Sequence, residues 1–406
     1  MNRAEHRAPT PQQAEVAIDG RLTALPAETR PLAECSGQTL REDVYAERDN
    51  PPFDRVCMDG IAVDSSAIAH GVRRFRLQAT QPAGVPALAL ASREHAVEVM
   101  TGAIMPGGTD CVIPLEEYDI ADGLITLKAN ATGPRHRNVQ RRGEDSARDT
   151  PMLKAGTRLG AAEIAVVASA GLARVKVSRQ PSVMVISTGD ELIEPGQPIA
   201  EHQVRRSNAY AVVAALREHG LEKVSNDHLR DDERELTERL SAHLAAHDVL
   251  ILSGGISKGK FDFVPKVLQS LGVTEVFHEV AQRPGRPMWF GVSARGQAVF
   301  GLPGNPVSTL VCLIRYVVPA LAALMSAPRA QPEPIALAQA VKFGRSMSSF
   351  LPVTVSHDER GQVRAVPHFT NGPGDFLALA GTQGFVELPP RAEEFPAGYV
   401  ASLYRW

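Results

Sequence analysis

Three apolar runs each close on a short loop of small residues and acids: VMVISTGDE from Val183, VLILSGGIS from Val249 and AVFGLPGNP from Ala298. A β-branched-rich run closed by glycine reads as a strand buried on both faces, as in a parallel sheet covered by helices. In such a sheet the loops leaving the carboxyl ends of the strands line the ligand crevice. Three loops are therefore expected to converge on one cleft.

The chemistry of those loops suits an oxyanion. Gly254, Gly255 and Gly304 let main chain approach an anion closely, and Ser187, Thr188, Ser253 and Ser257 can donate hydroxyl hydrogen bonds beside free N–H groups. Glycine and serine also make ordinary strand-to-helix turns, and any single loop leaves that reading open. The recurrence of the pattern in three loops favours a site.

Carboxylates surround the same cleft. Asp190 and Glu191 follow the first run, Asp231 and Asp232 follow His228, and Asp262 follows the second loop. Acids facing an anionic ligand would repel it unless a hard divalent cation bridges them, and Mg²⁺ held together with phosphate oxygens is the usual solution. The plainer alternative is that Asp231 and Asp232 cap the helix beginning at Glu233 and that Glu191 is a solvated turn residue. Positive partners stand in RPGRP, with Arg283 and Arg286, and in SKGK, with Lys258 and Lys260. Arginine offers phosphate or a tetrahedral oxyanion a bidentate fork, although turns attract solvated charges in any case.

Composition bounds what remains. The chain has 406 residues, 44% hydrophobic and 22% charged, enough for several packed domains. A net charge of -3 leaves no general basic surface, which argues against a nucleic-acid partner. The four cysteines, Cys35, Cys57, Cys111 and Cys312, are widely spaced with no CxxC pair, so neither a disulfide framework nor a zinc site is indicated. The first residues contain no apolar signal core, and the stretch from Leu310 to Met325 is short and carries Arg315. It reads as a buried helix begun by Pro306, and the expectation is a cytoplasmic chain with no membrane span. There is no GxGxxG, Walker A loop, GxSxG elbow or HExxH.

The periodicities divide the chain. Residues 1–25 and 180–327 read as one α/β module of alternating strands and helices, 26–50 and 148–179 as a connecting lever, 51–147 as a β-rich domain, and 328–406 as a closing all-β domain. The fold class is thus α/β plus β, multidomain, with a mainly parallel sheet.

In order and spacing, PPFDRVCMDGIAV, MTGAIMPGGTDCVIPLEE, RRGED, ISTGDELIEPG, the SNAY helix start, LRDD, ILSGGIS with FDFVP, QRPGRPMWFG and GLPGNPVS resemble the molybdopterin molybdenumtransferase family, related to the E domain of gephyrin. The resemblance runs from about residue 12 to the end. It implies an α/β molybdopterin-binding sandwich, a small β-barrel-like C-terminal domain, and an enzyme that takes adenylylated molybdopterin and molybdate, uses Mg²⁺ and releases AMP. It also implies an L-shaped homodimer with a shared active site, in which Asp59 and Thr101 reach the cleft of the partner subunit. By match to its motifs Asp59, Thr101, Asp145 and Asp262 are catalytic, and Glu191 and Asp231 hold the metal. Thr188, Gly189, Asp190, Ser253, Gly254, Gly255, Ser257, Arg283, Arg286, Pro303, Gly304, Asn305 and Pro306 bind the substrates.

Further expected partners are the molybdopterin adenylyltransferase and maturation proteins of molybdoenzymes. Lys258, Lys260 and Glu279 depart from the family pattern, as does FTNGPGDFLALAG from Phe369, where the family often carries a serine-rich turn. Two rival functions are a single-domain adenylyltransferase, which needs neither residues 1–180 nor the β tail, and a non-catalytic scaffold of the gephyrin type.

Overall fold

The computed structural model describes residues 8–256, 263–342, 346–372, 374–390 and 394–406. The expectations for Ser257, Lys258, Lys260 and Asp262 lie outside the described residues.

The three apolar runs are neighbouring inner strands of one six-stranded sheet. Its order is Val224–Leu229, Val183–Thr188, Val249–Ser253, Ala298–Leu302, Trp289–Ser293, Val273–His278. The first four strands are parallel, Trp289–Ser293 runs antiparallel to both of its neighbours, and Val273–His278 returns to the direction of the first four. Register sets Ser187 beside Ser253 and Ser253 beside Leu302, so the three following loops leave the sheet side by side.

Both faces of the sheet are covered, which explains why its inner strands are apolar throughout. One face packs against the helices Pro11–Asp19 and Ser207–Glu218 and the long helix from Pro306, through Ile18, Val212, Leu216, Phe300, Leu313 and Tyr316. The other packs against Glu233–Ala246 and Val264–Ser270, through Leu236, Leu240, Leu252, Val267 and Trp289. Each such fully buried side chain contributes about 1.5–3 kcal/mol relative to exposure.

The helix from Pro306 to Leu324 is long and apolar enough to cross a membrane, yet it lies mostly inside this core. Arg315 within it is only 3% exposed and pairs with Glu15 at 2.8 Å and Glu387 at 3.2 Å. A buried arginine is tolerable only with such partners. The ion pairs tie the first helix, the core helix and the C-terminal sheet together.

The remaining β structure flanks this module. Ala27–Pro31 pairs with Arg174–Ser178, next to the helix Ala161–Ser169. Residues 60–127 form a mixed sheet in the order Cys111–Pro114, Gly60–Val63, His95–Val99, Arg74–Gln81, Leu124–Leu127, Tyr118–Ala121. At the C-terminus, Ser348–His357, Val363–Pro367, Glu333–Leu337, Val400–Arg405 and Gly384–Leu388 close on themselves as a five-stranded barrel. Gln282–Arg283 adds to this barrel by pairing in parallel with Ser348–Ser349, so the RPGRP turn is anchored on it.

Two features escaped the sequence pattern. Val224–Leu229 is an edge strand whose VSNDHL is mostly polar, so no apolar run marked it. Trp289–Ser293, antiparallel to both of its neighbours, joins Val273–His278 to the sheet, and no apolar run marked either strand.

Candidate functional site

Ser187 and Thr188, Ser253 and Gly254, and Gly304, Asn305 and Pro306 meet in one crevice of ≈ 450 Å³ at the carboxyl ends of the parallel strands. Glu191, Arg205, Arg206, Asn208, Gly374 and Phe376 complete its walls. The expected convergence of three loops is therefore what the fold produces.

Backbone constraints explain the small residues. Gly254 has φ +97°, and a Cβ there would lie 2.7 Å from the Thr188 carbonyl oxygen, so the second loop packs main chain against the first. Gly189 has φ +142°, and a Cβ would lie 2.5 Å from Glu191 Oε2, because that carboxylate folds back over it. Asn208 binds the other two loops together. Its Nδ2 donates to Ser253 Oγ at 2.9 Å and to the Gly304 carbonyl at 2.7 Å. The side chain sits in the first turn of the helix Ser207–Glu218, and no periodicity in the sequence distinguished it.

The crevice floor is polar and incompletely bonded. Among the described residues eight buried side-chain polar atoms lack a hydrogen-bond partner, and four of them, Ser187 Oγ, Thr188 Oγ1, Arg206 Nε and Asn208 Oδ1, belong to this crevice. Each such atom costs on the order of 1–3 kcal/mol, so their concentration at one place is the signature of a binding site rather than of a core. Arg206 is 8% exposed, with its Nη2 on Glu194 at 2.7 Å and on Asn226 at 3.0 Å.

Of the expected acids among the described residues, only Glu191 lines the crevice, and Asp190 and Asp231 do not. Glu191 is exposed and lines the crevice, and the Asp231 amide donates to Asp190 Oδ1 at 3.3 Å, which brings the LRDD turn against the TGDE turn. Asp232 is the helix N-cap, its carboxylate accepting from the Glu235 amide at 2.8 Å, so the capping alternative holds for Asp232. Among the described residues no group of three His, Cys, Asp or Glu is placed to hold a metal ion by protein ligands alone.

Arg283 and Arg286 do not line this crevice. They line a neighbouring cavity of ≈ 680 Å³ between the RPGRP turn and the C-terminal-domain residues Lys342, Met347, Ser349 and Phe350. The arginine turn thus opens on an adjoining cavity, and Asn305 borders both. The cause is the Gln282–Arg283 strand, which draws the arginine turn onto the barrel. Arg286 Nη2 lies 3.2 Å from Glu279 Oε2. Pro303 lies on the same side, whereas Gly304 and Pro306 face the crevice.

Asp59, Thr101 and Asp145 form a separate group. The Thr101 amide and hydroxyl both donate to Asp59 Oδ1, at 2.6 and 2.7 Å, and these bonds, the hydroxyl's first, hold the exposed Asp59 carboxyl below the usual carboxylate range. Asp145 Oδ1 accepts from Gln140 Nε2 at 2.9 Å. Among the described residues the hydrogen bonds of all three stay within residues 50–145, and none reaches the crevice of the same chain.

Comparison with known proteins gives the chain its family. Residues 5–171 match the MoeA N-terminal region (domain I and II), residues 184–323 a probable molybdopterin binding domain, and residues 334–406 the MoeA C-terminal region (domain IV). A molybdopterin molybdenumtransferase of Synechocystis is 40% identical over 91% of this chain and 93% of its own length. That of Staphylococcus aureus strain Mu50 is 29% identical over 98% and 96%. A crystal structure of the molybdopterin biosynthesis MoeA protein from Pyrococcus horikosii superposes with a TM-score of 0.81 at 28% identity, covering 98% of this chain and 99% of that one. With the parallel-sheet crevice, the flanking β domains and a relative this similar over nearly its whole length, the chain belongs to the molybdopterin molybdenumtransferase family.

Proposed function

We propose that the crevice binds adenylylated molybdopterin, and that the chain uses molybdate and Mg²⁺ to place molybdenum on the pterin dithiolene with release of AMP. At the coarser level the chain is a transferase of molybdenum-cofactor biosynthesis, as its family membership states. The observation that carries the finer reading is the concentration of partnerless buried polar atoms at the meeting of three glycine-containing loops.

Each residue then has a task. Ser187, Thr188, Ser253 and the main chain at Gly254 and Gly304 would receive phosphate oxygens, with Asn208 holding the loops at fixed separation. Glu191 and Asp231, with Asp190 beside them, would hold Mg²⁺. That donor set suits this ion, which is ordinarily bound through one or two carboxylates plus substrate phosphates and water rather than by an all-protein cage. Bound there, Mg²⁺ would neutralise phosphate charge and polarise the phosphoanhydride. Arg283 and Arg286, facing the adjoining cavity, would steer and hold the tetrahedral molybdate dianion, while Asn305 would mark the passage between the two ligands.

Asp59, Thr101 and Asp145 find no crevice within their own chain's hydrogen-bond network, which supports a homodimer in which they complete the partner's site. Asp262 and Ser257 would join the site from the second loop. The same reading keeps the division of the chain at residues 25, 50, 147, 179 and 327. It also keeps a cytoplasmic location and hand-over contacts with the adenylyltransferase and molybdoenzyme maturation proteins. A lone adenylyltransferase would have no use for the matched regions at residues 5–171 and 334–406.

The test is direct. Purified chain mixed with adenylylated molybdopterin, Mg²⁺ and molybdate should release AMP, and release should stop when either ion is withheld. A chain that binds the pterin but releases no AMP under these conditions would contradict the transfer reading.

A further inference from the structure

The crevice wall mixes polar groups with the aliphatic Leu192, Val204 and Pro306. Among the described lining residues Phe376 is the sole aromatic, and with Gly374 it comes from the C-terminal domain rather than from the sheet module. Its ring is half-buried against the apolar cluster that includes Val307 and Val311 of the core helix and Leu379 and Phe385 of the barrel. One side of the ring is therefore held, and the remainder borders the crevice.

The backbone around it is also fixed. Asp375 accepts hydrogen bonds from the Asn371 amide at 3.1 Å and the Ala378 amide at 3.2 Å. The Phe376 carbonyl accepts from the Leu379 amide at 3.0 Å, closing the short turn Leu377–Leu379. A side chain with few rotatable bonds, set on a pinned turn, offers a rigid flat surface at small entropic cost. Leu377 beside it is 87% exposed and Phe369 is 62% exposed, but neither lines the crevice.

A planar nitrogen heterocycle gains most from a ring face, because stacking removes both surfaces from water while leaving the edge groups free to hydrogen-bond. The serines, Asn208 and the glycine main chain of this crevice can satisfy phosphate and edge groups, and Leu192 and Val204 offer aliphatic contact, but only Phe376 among the described lining residues offers an aromatic face. We infer that Phe376 is a specificity-determining residue that stacks on the planar heterocycle of a phosphorylated ligand, so that the C-terminal barrel supplies one wall of the binding site. The inference rests on the reading of the crevice as a nucleotide–pterin site. Either the adenine or the pterin ring has the required shape, and binding measurements tell them apart.

The measurement is the dissociation constant of full-length chain for two separate probes, AMP and molybdopterin, in wild type and in Phe376→Leu, Phe376→Ala and Phe376→Tyr. Phe376→Leu keeps apolar volume against Val307 and Val311 and removes only the ring, so a matched melting temperature certifies that the barrel is intact. Loss of stacking should weaken one probe roughly tenfold, equivalent to about 1.4 kcal/mol, in both Phe376→Leu and Phe376→Ala, and Phe376→Tyr should restore it. The probe that weakens identifies the stacked ring. Equal affinity of wild type and Phe376→Leu for both probes overturns this inference and leaves the assignment of the crevice standing. A wild-type chain that binds neither probe overturns both.

Discussion

The crevice and the Asp59–Thr101 loops are both made of small polar residues and acids, but their hydrogen bonding is opposite. In the crevice Ser187, Thr188, Arg206 and Asn208 each leave a buried polar atom without a partner. Asp59 is exposed and yet accepts two short bonds to one oxygen from Thr101. The first arrangement leaves polar groups open to a ligand, and the second fixes a carboxylate in one orientation. The contrast is what the proposed division of one site between two subunits would produce.

Asp248 shows what a purely structural carboxylate looks like in the same fold. It stands at the opposite end of the strand Val249–Ser253 and accepts from both Arg179 Nη atoms, and from the Ser182 amide and hydroxyl, all at 2.8 Å. Burial raises its carboxyl pKa, but the Arg179 and Ser182 bonds outweigh that and bring it to about 2.

The largest expected effect separates function from fold. Glu191→Gln keeps shape and removes a proposed Mg²⁺ ligand at the crevice rim, and should slow AMP release by roughly a hundredfold, near 3 kcal/mol, with an unchanged melting temperature. Full rate at low Mg²⁺ would remove Glu191 from the metal site and weaken the contrast with Asp248.

Asp248→Asn should do the reverse. A carboxyl held below its unfolded value stabilises the fold above that value and loses the contribution as pH falls through the folded one. At neutral pH the substitution should cost about 2 kcal/mol, and the gap from wild type should close between roughly pH 4 and pH 2. Denaturant titrations across that range check it, and a gap independent of pH would show that the carboxylate charge is not what holds the strand.

Arg286→Lys sharpens the distinction between the two cavities. Keeping charge but losing the fork should raise the molybdate concentration for half-maximal rate roughly tenfold, about 1.4 kcal/mol, with much less change in binding of the adenylylated pterin. Equal weakening of both ligands would assign the arginine to the pterin phosphate or to the loop itself.

What the sequence made legible follows from burial. The inner strands at Val183, Val249 and Ala298 are covered on both faces, so they had to be apolar and were visible, and their glycine loops located the crevice. Val224–Leu229 has a free edge and could be polar, so it was invisible. Asn208 and Phe376 act through contacts between segments far apart in the chain, which local patterns do not encode. The separation of Arg283 and Arg286 from the crevice depends on a two-residue strand pairing with the barrel, too short to leave a periodic signal. Asp59, Thr101 and Asp145 stood out only by resemblance, because an acid in a turn is usually just a turn-former.

The division of one site between two chains is tested most directly by mixing subunits. Asp59→Ala and Glu191→Gln chains, each nearly inactive alone, should recover AMP release when combined as hybrid dimers, because each hybrid rebuilds one intact crevice. With random pairing of equal amounts the recovered rate should approach about a quarter of wild type. If the mixture stays at the level of the separate variants although hybrids are shown to form, Asp59 serves the crevice of its own chain or none, and the shared-site account is wrong.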